Sequence, residues 1–144
     1  MTAPWAVAVA GIFVWLGMVL AISFMEAPLK FRAPGVTLQI GLGIGRLVFR
    51  TLNTTEVILA VAVLAALQFD PPPSRVTVAV LVAVVVLAVQ LLAVRPRLTR
   101  RSDAVLAGEE GSARRRSHGH YVYVGFELIK AIALLVSGIL LFAS

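Results

Sequence analysis

One stretch of the chain, HYVYVGFELIK from His120 to Lys130, sets an imidazole, two phenols, a carboxylate and an amine among apolar residues. His120, Tyr123, Glu127, Lys130 and Leu134 recur every three or four residues, which lays them along one stripe of a helix, while Val122, Val124 and Ile129 fall elsewhere. A second set, Phe49, Asn53 and Glu56, shares a face in the same way. If the two stripes meet, Glu56, Glu127 and Lys130 bring two carboxylates to one amine. That leaves one negative charge to be matched by a proton, a cation or Arg50. Such a group can bind or pass a proton, hold a cation, or orient a small solute, with Glu26, Asn53, His120 and Tyr123 at its margin. The plain structural alternative is an intrahelical Glu127–Lys130 pair that cancels two costly charges, with Tyr121 and Tyr123 as interface anchors. The metal and cofactor remain unknown. The chain has no cysteine, its two histidines lie in one loop, and the Glu-x-x-His signature of helical di-iron bundles is missing.

The elements that must carry these residues follow from composition. Sixty per cent hydrophobic residues against 14% charged, with a mean hydropathy of +0.96, is the balance of an all-α integral membrane protein. At about 20 residues per span, 144 residues hold about four helices with short loops in a single domain. The expected spans are 4–25, 46–69, 75–95 and 119–143. The first reads as a span and not a cleaved signal peptide, because no Lys or Arg precedes it and its apolar run is long. Spans two and four are the informative ones. The uncharged runs after Glu56 and after Lys130 are too short to cross about 30 Å of hydrocarbon, so both helices must begin earlier. Asn53, Glu56, Glu127 and Lys130 then lie inside the slab, unless thinning of the bilayer or snorkelling spares Lys130.

Orientation follows from the cations. Lys30, Arg32, Arg46 and Arg50 gather in the first connection and Arg95, Arg97, Arg100, Arg101, Arg114, Arg115 and Arg116 in the third, against Arg75 alone in the second. The positive-inside rule puts both termini outside an antiparallel four-helix bundle, and the polar cluster toward the cytoplasmic face. In the third loop, Arg114, Arg115 and Arg116 suit anionic lipid headgroups; without interleaved aromatics there is no stacking platform, and nucleic acid is not expected. The stretch GLGIGR, Gly41 to Arg46, lacks the spacing and preceding strand of a phosphate loop and suits close helix packing or an interfacial segment.

The sequence segments WLG, EAPLKFRAPG, GLGIGRLVFRTLN and HYVYVGFELIK together resemble a family of small bacterial four-helix membrane proteins of unassigned function. More distantly, Trp15-x-Gly17 followed by Pro28 and Phe31 is similar to the membrane region of copper-resistance D-type proteins. The resemblance implies a four-helix bundle in the inner membrane. Copper itself finds no soft ligand set here, since the chain has no cysteine and its three methionines are scattered. Three functions stand open: a polar pocket that binds or conducts a proton, cation or small solute, in one chain or a homo-oligomer; an accessory or assembly subunit of a larger membrane complex; and a membrane-embedded enzyme acting on a lipid or isoprenoid.

Overall fold

The structure, a computed structural model, describes the backbone of residues 1–94 and 112–144 and the side chains of residues 1–93 and 121–144. All regular structure among the described residues is helical. Helix α1 is one run, Ala3–Arg32. It starts on the Thr2 side chain, which accepts from the Trp5 amide, and on Pro4, whose missing N–H costs nothing at a helix start. It is α-helical over Ala3–Val19, π-helical over Leu20–Glu26, and closes with an α turn, Ala27–Leu29, and a 3-10 turn, Lys30–Arg32. The wide π turn, in which the Ala27 amide reaches back to the Ile22 carbonyl, lets the run continue through Pro28.

Helix α2 spans Leu38–Phe69, its first turn capped by the Thr37 hydroxyl, which accepts from the Ile40 amide. A short connection through Pro71, Pro72 and Pro73 leads to α3, Ser74–Val89, followed by a π turn over Gln90–Val94. Helix α4 spans Ser112–Phe142. Four runs, Ala3–Arg32, Leu38–Phe69, Ser74–Ala93 and Tyr121–Phe142, are long and apolar enough to cross a membrane.

Helix boundaries depart from expectation at three places. Helix α1 continues past Met25 by about two turns, because the π turn lets the helix run on through Pro28 despite the charges that follow Met25. Helix α2 begins at Leu38, well before residue 46, so Arg46 and Arg50 are exposed helical residues and not loop residues. The GLGIGR stretch is therefore helical, with Gly41 against the Phe31 ring and Gly45 against Lys30, and the close packing makes up for the poor helix propensity of glycine. Helix α4 begins at Ser112 instead of 119, which puts Arg114, Arg115, Arg116 and the backbone of His120 within it. Of the third connection, Arg95, Arg97, Arg100 and Arg101 lie outside the described residues.

The register is antiparallel between α1 and its neighbours. Trp5 meets Asp70, Trp15 meets Glu56, and Lys30 meets Gly45, so α2 descends as α1 rises. Likewise Phe13 lies against Gly138 and Ser23 against Glu127 on α4. Helices α2 and α4 run parallel: Phe49 pairs with Tyr123, and Glu56 with Lys130 a further seven residues along each. The principal backbone contacts join α1 to α2, α1 to α4 and α3 to α4. The apolar core lies on the Trp5 side of the polar residues and includes Ile12, Val63, Val80, Leu134 and Leu141. Outward positions are mostly leucine, valine and isoleucine, whereas the bundle encloses Glu56, Gln90, Glu127 and Lys130. A soluble protein has the reverse arrangement.

Candidate functional site

Each of the four helices brings a polar group to one level of the bundle. Glu56 comes from the buried stripe of α2 that also carries Leu52, Asn53, Ala60 and Val63. Glu127 and Lys130 come from the stripe of α4 that also buries Tyr123 and Leu134. Gln90 is the first residue of the π turn after α3, and Ser23 sits within the π segment of α1. The π geometry widens the turn and re-aims its side chains, which is why such bulges accompany functional sites. Trp15 completes the set one α turn before the π segment.

Lys130 is the hub. Its ammonium lies 2.6 Å from Glu56 Oε2 and 2.6 Å from Glu127 Oε1, and donates at 2.8 Å to Gln90 Oε1. Those three acceptors use all three of its N–H bonds. Glu127 has a donor on each oxygen: Oε1 also accepts from Gln90 Nε2 at 2.7 Å, and Oε2 accepts from Ser23 Oγ at 2.6 Å. Glu56 is different. Its Oε2 accepts from Trp15 Nε1 at 2.9 Å, while its Oε1 is buried with no donor among the described residues. Asn53 Oδ1, three residues earlier on the same face, is buried and lacks a donor too. Glu56, Glu127 and Lys130 are all 0% exposed, so Lys130 does not snorkel and its charge is met inside the bundle.

The chemical content is a charge count. Two carboxylates and one ammonium, sealed from water, carry one negative charge over unless a further positive species joins them. Leaving that charge unmatched in a low-dielectric interior costs several kcal/mol. Glu127 receives three donors on its two oxygens, whereas Glu56 keeps one oxygen that no donor among the described residues reaches.

A second group lies toward the chain end of α1. Glu26 and Lys30 are one helical turn apart, at 3.8 Å, with side chains 32% and 10% exposed. The Lys30 ammonium sits 5.6 Å from the Phe49 ring centre, and a Cβ on Gly45 would stand 2.8 Å from it, so a larger residue there would push the lysine end aside. Phe49 meets Tyr123 edge to face at 5.5 Å.

Of the residues expected to form one pocket, Glu56, Glu127 and Lys130 come together and Asn53 flanks them. Tyr123 is buried one turn away, in the layer it shares with Phe49. Glu26 does not join the cluster: α1 continues past it, and its carboxylate pairs with Lys30 at the rim. The side chains of His120, Arg114, Arg115 and Arg116 lie outside the described residues. Trp15, Ser23 and Gln90 belong to the site although charge and spacing did not single them out. Gln90 is the one side-chain amide of its span, and Trp15 an indole far from either interface, which is a signal in each case. Among the described residues no three His, Cys, Asp or Glu side chains gather as metal ligands would. No family model, curated protein or solved structure matches the chain.

Proposed function

We propose that the chain is a multi-pass protein of the cell's inner membrane, with both termini outside, whose buried Glu56–Lys130–Glu127 cluster binds an exchangeable proton. The observation that carries this reading is the asymmetry between the two carboxylates. Glu127 has a donor for every oxygen, while Glu56 has an empty, fully buried Oε1 in a cluster one positive charge short of neutrality. A proton on Oε1 supplies that charge. A larger solute would have to displace side chains that are wholly buried.

A second reading, an accessory subunit of a larger membrane complex in which the cluster only pins the helices together, is favoured by the fact that all four helices supply a group to it. Infrared spectroscopy of the protein in lipid vesicles at neutral pH separates the readings. The wild type should give a protonated-carboxyl stretch that disappears in Glu56→Gln and that shifts when the vesicles are moved to heavy water, as an exchangeable proton requires. A missing carboxyl stretch overturns the proton site; a stretch that never shifts in heavy water favours the pin.

A further inference from the structure

We propose that the Glu56 proton exchanges with water at one end of the bundle only, through a buried water-binding site shared by Glu56 Oε1 and Asn53 Oδ1, with the Glu26 carboxylate as the outer proton acceptor. The inference rests on the proton-binding reading and extends it to a route.

Asn53 and Glu56 are neighbours on one face of α2, three residues apart, and each presents a buried oxygen that no described donor reaches. Two adjacent buried acceptors need donors. A carboxyl proton on Glu56 Oε1 needs an acceptor and Asn53 Oδ1 needs a donor, and one water molecule between them accepts from the first and donates to the second. From Asn53 the same stripe leads outward through Phe49 to Gly45, about 16 Å of helix from Glu56 at the standard rise. There Lys30 and the partly exposed Glu26 form the rim, and Glu26 Oε2 is itself without a hydrogen-bond donor among the described residues. The Phe49–Tyr123 ring pair stands between rim and cluster.

On the other side of Glu56 the α2 stripe is Ala60, Val63 and Leu67, facing an α1 stripe of Ile12 and Ala8. The buried hydroxyl at that end, Ser137, donates to the Leu134 carbonyl of its own helix. That end offers a proton no buried side-chain oxygen on α2 to step to. In the outward step the Glu56 O–H bond breaks as a new O–H bond forms on the shared water; that water gives up another of its protons to water entering past the Phe49–Tyr123 pair, and along this water the proton reaches the Glu26 carboxylate at the rim. The inner cluster goes from neutral to one negative charge, and Glu26 from negative to neutral.

The test is the rate at which the Glu56 carboxyl exchanges its proton for deuterium, read from the shift of its infrared stretch after vesicles are moved to heavy water. Asn53→Leu should slow exchange by about tenfold, the equivalent of one lost buried hydrogen bond. Glu26→Gln should slow it in the same direction. Phe49→Leu, which thins the ring pair, should speed it, while Leu134→Ala, at the closed end, should leave it unchanged. Should Asn53→Leu fail to fold, Asn53→Ser and Phe49→Leu carry the test, the serine variant holding close to the wild-type rate because it keeps an oxygen at the site. Equal rates in wild type, Phe49→Leu and Glu26→Gln overturn the route while leaving the proton site intact, and so does acceleration by Leu134→Ala. Loss of the carboxyl stretch on adding sodium at fixed pH overturns it differently, by making the shared oxygens an alkali-cation site. A wild-type spectrum without the stretch removes the proton reading itself.

Discussion

Lys130 decides more than any other side chain, because it is the one cation among the buried groups of the cluster and touches three of them. Lys130→Met removes the counter-ion that both carboxylates share, and breaking a buried pair in this way costs about 3–5 kcal/mol. Adding Glu127→Gln removes the orphaned charge, so the double variant should unfold at a higher temperature in detergent than Lys130→Met alone. Strictly additive losses would mean that the two groups do not interact. Ser23→Ala removes a hydrogen bond to a carboxylate and should cost about 1.5–3 kcal/mol in the same assay. At this scale the sequence was partly legible. Charges stand out against an apolar background, and helical spacing aligned Glu56 with Asn53 and Lys130 with Glu127. Neutral partners do not stand out: Ser23 is one small hydroxyl in a long span, and only the π turn explains why it faces inward.

The helices themselves were legible because a span has a minimum length, and the shortness of the runs after Glu56 and Lys130 forced both charges into the interior. Their starts were not, since a cap such as Thr37 or a stretch such as GLGIG reads as a loop until its packing partner is known. Helix contact in lipid is driven by close packing and not by water exclusion, so glycines at crossings should matter more than leucines on the outside. Gly138 approaches Phe13 and Ile12 of α1, where an added Cβ would come within 2.8 Å of the Phe13 ring, whereas Gly125 faces open space. Gly138→Leu should lower the unfolding temperature clearly and Gly125→Leu should not. Equal effects would show that α1 and α4 do not cross there.

For the molecule as a whole, the arginine asymmetry fixes the expected orientation, with Arg46, Arg50 and the third connection inside and both termini outside. A C-terminal reporter active only outside should give signal, and one active only in the cytoplasm should stay silent; the opposite pattern would turn the Glu26 rim toward the exterior. What joins residue, helix and orientation is the claim that the bundle encloses a cluster kept electrically neutral by a proton on Glu56. Its most direct measurement is the infrared carboxyl stretch in Glu127→Gln. With Glu127 neutral, Lys130 has no other counter-ion in the cluster than Glu56, which must then give up its proton to stay paired. The Glu56 stretch present in the wild type should vanish in Glu127→Gln, and a stretch that persists there unchanged would contradict the account.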